Sequence, residues 1–222
     1  MDWLGGAAAR DDHGAAHRPR LRARGRGPAR LPSGEPVRVF VALNLPEGVR
    51  QGLWDAIGPV RDRGLPVKWV RPEGLHLTLK FLGDVEEGRE PELHAALSQA
   101  ASDGARGVTV HIEGFGVFPD FRRPRIVWAG VAPDPALELL QHRVEQVFAP
   151  LGFPTEARAF RPHLTLGRAG REARPRDFTG LEDALATITF AETVIVPDLD
   201  LMQSTLQSGG AVYQVKHRER LS

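Results

Sequence analysis

The stretch Leu75-His76-Leu77-Thr78-Leu79 returns as Pro162-His163-Leu164-Thr165-Leu166, so one His-Leu-Thr-Leu block occurs twice, 87 residues apart. Each copy reads as a strand. Side chains alternate across a strand, which puts His and Thr of each block on one face and the two leucines on the other. Leu77, Leu79, Leu164 and Leu166 then pack into a core. The His and Thr of each block point together into a different space. If the two strands face each other, two imidazoles and two hydroxyls line a shared cleft. A single His-x-Thr in a strand is commonplace, but two identical copies at strand starts call for a chemical reason.

Outward from the blocks, apolar periodicity alternates between strand and helix. Strands are expected over Val37–Leu43, Val67–Val70, Leu75–Leu82, Val108–Val117, Arg125–Val131, Pro162–Leu166, Thr193–Gln203 and Ala211–His217, with Gly209-Gly210 turning the last pair. A first helix opens at Pro46 and carries Val49, Leu53, Ala56, Ile57 and Val60 on one face. A second has Pro91 in its first turn, and a third runs over Pro135–Phe148. Strands joined by short connections, without a regular βαβ rhythm, predict an α+β fold with antiparallel sheets. No Gly-rich phosphate loop follows a strand, which argues against a triphosphate or dinucleotide enzyme.

Composition narrows the chemistry. The 222 residues contain no cysteine, which excludes disulfides, thiolate metal sites and a cysteine nucleophile, and fits a reducing cytoplasm. No apolar run is long enough to span a membrane. Residues 1–36 hold seven arginines against four acids, +3, and read as a disordered Arg/Gly/Ala/Pro-rich tail ahead of a single domain over 37–222. The remaining residues hold 22 Lys and Arg against 24 Asp and Glu, −2, so any contact with nucleic acid must be local.

Two imidazoles and two hydroxyls suit the opening of a cyclic phosphodiester. That reaction needs a base for the attacking water and an acid for the leaving oxygen on the opposite side. Histidine titrates near pH 6.5, so one neutral and one charged ring can coexist near neutrality. Threonine hydroxyls can hydrogen-bond the phosphoryl oxygens as charge builds there. No metal and no other cofactor is expected, since neither block carries a further ligand at metal spacing.

With the paired His-x-Thr motifs in view, the sequence resembles the two-histidine (2H) phosphoesterase superfamily. Within it, the sequence is similar to the bacterial and archaeal RNA 2′,3′-cyclic phosphodiesterases, also described as 2′-5′ RNA ligases. The resemblance spans residues 37–217 and includes Arg38-Val39-Phe40-Val41-Ala42-Leu43, Leu75 to Gly83, Pro124-Arg125-Ile126-Val127-Trp128, Phe160 to Arg168, Leu201-Met202-Gln203-Ser204 and Gly210-Ala211-Val212-Tyr213. It implies a bilobal fold of two similar lobes, each an antiparallel sheet with helices, facing a central cleft. It implies that His76 donates a proton to the 3′ leaving oxygen, that His163 takes one from water, and that Thr78 and Thr165 hold the phosphate. The product is then a 2′-phosphomonoester, and the reverse reaction joins ends through a 2′-5′ bond. The family's arginine five residues past the second histidine falls on Arg168, a candidate phosphate ligand. The 36 N-terminal residues depart from the family pattern.

The expected partner is RNA with a 2′,3′-cyclic phosphate end, acted on by a monomer. A small cyclic nucleotide or 2′-5′ oligoadenylate, or a non-catalytic role in RNA binding, are the alternatives. Arg168 falls on the opposite face from His163 in an unbroken strand, unless Gly167 bends the chain. Phe40 is a candidate base-stacking platform or a core residue. Arg122, Arg123 and Arg125 are candidate phosphate contacts or solvated loop residues. Trp69 and Trp128 read as core aromatics, and His94, His111, His142 and His217 carry no matching context.

Overall fold

The computed structural model describes residues 37–86, 88–102, 106–207 and 210–222. The expected tail over 1–36 and Gly209 of the expected turn lie outside the described residues. Strand β1 (Val37–Asn44) leads into α1 (Glu47–Ala56) and the short α2 (Gly58–Arg61), then β2 (Val67–Trp69) and β3 (His76–Val85). Next come α3 (Glu90–Ala101), β4 (Val108–Phe118), β5 (Ile126–Val131) and α4 (Pro135–Phe148). The chain ends with β6 (His163–Ala169), α5 (Leu181–Ala186), β7 (Ala191–Val196), β8 (Asp198–Gln207) and β9 (Gly210–Arg220).

Local chemistry sets these boundaries. The Asp134 carboxylate accepts hydrogen bonds from the backbone N–H groups of Ala136 and Leu137, and Pro135, whose ring fixes φ, follows it, so α4 begins on a capped and pre-set first turn. The first helix was expected to run to Val60, but Pro59 cannot continue its hydrogen bonding, and α1 and α2 part at Ile57. The strand expected over Thr193–Gln203 is two strands. Pro197 has no N–H, and the chain breaks there into β7 and β8, which lie on opposite sides of the sheet. Helix α5 had no counterpart among the expected elements.

The strands form one sheet in the order β7-β4-β5-β6-β3-β1-β8-β9, with β2 also on β6, and every pairing is antiparallel. Four strands of this path lie on each side of the β6–β3 boundary, which is the two-lobed α+β architecture the resemblance implies. Among the described residues the halves meet through a single ladder pair, Leu77 opposite Leu164. Both leucines are fully buried, with Leu79, Leu166, Leu43 and Val41, in the large core under the helices. Helix α3 packs on α4, β8 and β9, α4 reaches β3 and β4, and α5 rests on β4. The opposite face carries only a small cluster of Phe40, Ala42 and Met202 with Tyr213 against it. One face of the sheet is therefore committed to packing and the other is free for chemistry.

One buried ion pair joins these layers. Lys80 of β3 places its Nζ 2.5 Å from Oε2 of Glu145 on α4 and donates to the Pro154 carbonyl at 2.8 Å. Glu145 also accepts from Gln141 and from the backbone N–H of Glu156. Both charges are almost fully buried. Removing one member of such a pair leaves the other without its counter-charge in a low dielectric. Lys80→Met is therefore expected to lower stability by about 3–5 kcal/mol, measured by urea unfolding against wild type. A loss within error of zero would show that the pair carries no net stability.

Candidate active site

The two strands that meet at Leu77 and Leu164 also bring the repeated blocks together. Extending that antiparallel register by one residue sets His76 opposite Thr165 and Thr78 opposite His163. Directly opposed side chains in such a ladder stand about 5 Å apart, and diagonal ones about 7–8 Å. In that register the two imidazoles are diagonal to each other across the cleft. All four residues line one cleft and are only partly exposed.

Each histidine is oriented in the same way. His76 Nδ1 lies 2.8 Å from the carbonyl of Gly74, and His163 Nδ1 lies 2.8 Å from the carbonyl of Arg161, two residues back in both cases. A carbonyl only accepts, so Nδ1 carries the hydrogen and Nε2 is left for the cleft. Aromatic rings hold the imidazoles from the side. Phe40 lies 4.8 Å from His76, Tyr213 meets His76 edge-on at 4.8 Å, and Phe118 meets His163 edge-on at 5.0 Å.

A bulge in each motif strand governs what comes next. On β6, Thr165 opposes Trp128 while Gly167 opposes Val127, so Leu166 is an extra residue in the ladder. The extra residue reverses the alternation. Leu166 and Gly167 are both buried, and Arg168 returns to the cleft face beside His163 and Thr165. Gly167 contributes by lacking a side chain, because a Cβ there would come within 2.5 Å of Val67 and 2.9 Å of Trp69 on β2. On β3, Thr78 opposes Ala42 and Lys80 opposes Val41, so Leu79 is the extra residue. Lys80 turns inward to Glu145, and Phe81 swings out to the cleft with 65% of its surface exposed. Phe81 and Arg168 thus hold matching positions, five residues after each histidine.

The structure brings His76, His163, Thr78, Thr165 and Arg168 into one cleft. It corrects the expectation that Phe40 offers a base-stacking face. Phe40 is 1% exposed, with the rings of His76, Phe81 and Tyr213 around it, so it supports His76 and has no free face for a base. Of the three loop arginines, Arg125 lines the cleft, whereas Arg122 and Arg123 lie outside its lining. Trp128 is only partly buried, packed between Phe118 and the bare α-carbon of Gly116, and Trp69 lines the cleft. His94 and His217 stack on each other at 4.0 Å between α3 and β9. Phe81 and Tyr213 escaped the sequence reading as site residues, although Tyr213 is the sole tyrosine of the chain and sits in a strand. Among the described residues, no group of three or more His, Cys, Asp and Glu residues could hold a metal ion.

Both imidazoles are biased toward the neutral form. Burial pushes the His76 pKa down to about 4, the Gly74 carbonyl pulls it back, and the positive charge of Arg168 lowers it further. Burial also lowers the His163 pKa, opposed by the Arg161 carbonyl and reinforced by Arg168. A cation within range of two neutral imidazoles is the arrangement of a site that waits for an anion.

Two imidazoles biased toward the neutral form and oriented alike, two threonine hydroxyls and an arginine thus share one cleft, a set of groups suited to acid–base chemistry on a phosphoryl group. A family model described as the 2′-5′ RNA ligase superfamily matches residues 49–204, and the chain belongs to that superfamily. It is 34% identical over 179 residues to a protein of Methanothermobacter thermautotrophicus named RNA 2′,3′-cyclic phosphodiesterase, covering 80% of this chain and 95% of that one. Among solved structures it is similar to TT0787 of Thermus thermophilus, with a TM-score of 0.69 and 28% identity over 83% of this chain and 97% of that one. It is also similar to Escherichia coli LigT complexed with 3′-AMP, with a TM-score of 0.63 and 26% identity over 85% and 99% of the two chains.

An NMR titration tests the electrostatics without substrate. Both His76 and His163 are expected to titrate below the ordinary imidazole value of about 6.5, with His76 the lower. Arg168→Gln, which removes a positive charge from both rings, is expected to raise both values. Unchanged titrations in that variant would show that Arg168 does not act on the pair.

Proposed function

We propose that this protein hydrolyses RNA 2′,3′-cyclic phosphate ends to 2′-phosphomonoesters, with His76 as proton donor and His163 as proton acceptor and with no metal in the step. The observation that carries this reading is the pairing of Leu77 with Leu164, because it brings both His-x-Thr blocks to one cleft with the histidines diagonal in the ladder. Water attacks phosphorus as His163 Nε2 takes its proton. The bond from phosphorus to O3′ breaks as His76 Nε2 gives its proton to that oxygen. The phosphate stays on O2′, and one water is consumed. The same groups with exchanged roles would run the reverse reaction and join ends through a 2′-5′ bond.

The two rings differ in a way that supports this division. His163 has less of its ring enclosed, so bulk water reaches it. His76 is the more enclosed of the two, beneath Tyr213 and beside Phe40, where a leaving oxygen needs its proton. Thr78 and Thr165 would donate to the non-bridging oxygens and Arg168 would offset their charge. The exposed Phe81 ring supplies a face for the terminal base. Every group comes from one chain, so a monomer suffices. No helix among the described residues is long and apolar enough to cross a membrane, and the lack of cysteine suits the cytoplasm.

In excess EDTA, a nucleoside 2′,3′-cyclic phosphate is expected to give the 2′-phosphate, identified by chromatography against both isomers. A 3′-phosphate product, or loss of turnover in EDTA, would refute the assignment. His76→Ala and His163→Ala are each expected to lower kcat by roughly 10²–10⁴-fold, and near-normal rates in both would remove the acid–base pair.

The pH dependence has a definite sign. The acid must be protonated, so its active fraction falls as pH rises through its pKa. Both histidines titrate below the ordinary value in the free protein, so kcat/KM, which reports the free protein, is expected to decline from below about pH 6.5. A bound anion favours the protonated ring, so the kcat profile is expected to lie at higher pH. A kcat/KM maximum well above the ordinary imidazole value would contradict the assignment.

A further inference from the structure

The open face of the sheet continues past the terminal nucleoside. Six large apolar side chains are strongly exposed among the described residues: Phe81, Leu139, Ile195, Leu206, Val212 and Val215. Three of them, Phe81, Leu206 and Val212, line the same cleft as the two histidines. Scattered apolar side chains need no explanation, but several gathered in one concave site mark a binding surface. Leu206 is 73% exposed, the most of the six.

The register shows where the strip lies. Met202 on β8 pairs with Phe40, and Ser204 and Leu206 continue its face in two-residue steps. Ser204 pairs with Arg38 of β1 on one side and Tyr213 of β9 on the other, and Leu206 pairs with Ala211. Arg38, Ser204, Leu206 and Ala211 all line the cleft. Strand rise places Leu206 roughly 13 Å along β8 from Met202, beyond the space of one nucleoside resting on Phe81. Arg38 pairs at 3.7 Å with Asp84, itself exposed, and such surface pairs are weak, so its guanidinium can turn to another anion.

We infer that this strip is a subsite for the nucleotides on the 5′ side of the cyclic phosphate end, with Leu206 against a base face and Arg38 against a neighbouring phosphate. The inference rests on the RNA reading above and extends it to the length of substrate. The direction follows from chemistry. A 2′,3′-cyclic phosphate occupies both the 2′ and 3′ oxygens, so the chain can continue only through the 5′ oxygen. Single-stranded RNA is held on open sheet faces by apolar and aromatic side chains for the bases and cations for the backbone, which is the composition found here. Continuity with the catalytic cleft and the accessible positive charge of Arg38 favour a nucleic acid over an apolar protein segment.

The test is a substrate ladder of one, two, three and four nucleotides ending in the same 2′,3′-cyclic phosphate. For wild type, kcat/KM is expected to rise by roughly tenfold or more from one to three nucleotides and then level off. Leu206→Ala and Arg38→Gln are each expected to flatten that rise, and Arg38→Gln is expected also to weaken its salt dependence. Both side chains are exposed, so the fold should tolerate either change. A flat ladder in wild type, or a full rise in both variants, overturns the inference. In parallel, the same ladder with 2′-phosphate ends is titrated for binding. If nothing in the first series is turned over, the hydrolysis reading fails. A length-dependent affinity that needs Leu206 would then still uphold the subsite, and one that ignores Leu206 would reject it.

Discussion

The pairing of Leu77 with Leu164 is the contact on which the site depends. Among the described residues it is the sole ladder pair between β3 and β6, and through it the two halves of the sheet become one. Because it is antiparallel, it crosses the blocks: each histidine faces the threonine of the other copy. A parallel register would have set histidine against histidine and threonine against threonine. The crossed arrangement puts one imidazole and one hydroxyl on each strand's side of the cleft, and the proposed in-line displacement uses an acid and a base on opposite sides. The buried leucines hold this register, since a one-residue slip of either strand would turn its leucine outward and its histidine into the core.

The second constraint is the bulge that follows each block. Strict alternation would bury Phe81 and Arg168 and expose Lys80 and Gly167. The extra residue directly after each block, Leu79 on β3 and Leu166 on β6, reverses this. The consequences on the two sides are complementary. On β6 the inward position is Gly167, which lets β2 lie close and leaves Arg168 free in the cleft. On β3 the inward position is Lys80, whose charge is met by Glu145 and whose hydrogen bond to Pro154 ties down the segment leading toward His163. That segment carries Arg158 and Arg161 along the cleft. The body of the chain is slightly acidic, yet its cleft is lined with cations, because the structure gathers them at one place.

Much of this was legible in the sequence. Regular periodicity located most of the strands, and α4 falls on the expected Pro135–Phe148 because Asp134 and Pro135 announce its start. The repeated block pointed to the four residues that line the cleft, since strand alternation puts the His and Thr of each block on one face. What escaped was set by partners in other strands. A bulge is a property of a pair of strands, so the outward turn of Phe81 could not be read from its own neighbours, and Arg168 reaches the cleft through the extra Leu166 with Gly167 making room for β2. Phe40 read equally as a base platform or a core residue, because an aromatic side chain serves either. Only the folded chain shows that the rings of His76 and Tyr213 already occupy it. The break at Pro197 was readable in principle, since a proline within an expected strand is a warning, but its spatial consequence was not: β7 and β8 lie on opposite sides of the sheet.

The electrostatic design looks at first as if it opposes its own purpose. In the proposed mechanism His76 is the general acid and must carry a proton, yet burial and Arg168 both favour its neutral form in the free protein. The opposition disappears once the phosphate is counted. A cyclic phosphodiester brings one negative charge to the space between the rings. That charge offsets Arg168 and favours the imidazolium form at close range, where the surrounding protein screens poorly. Protonation of the acid is thereby coupled to occupancy of the site. A histidine kept neutral until an anion arrives holds no uncompensated buried charge while the cleft is empty. The same arrangement favours a bound phosphodiester over a neutral ester, because only an anion supplies the charge that the acid needs.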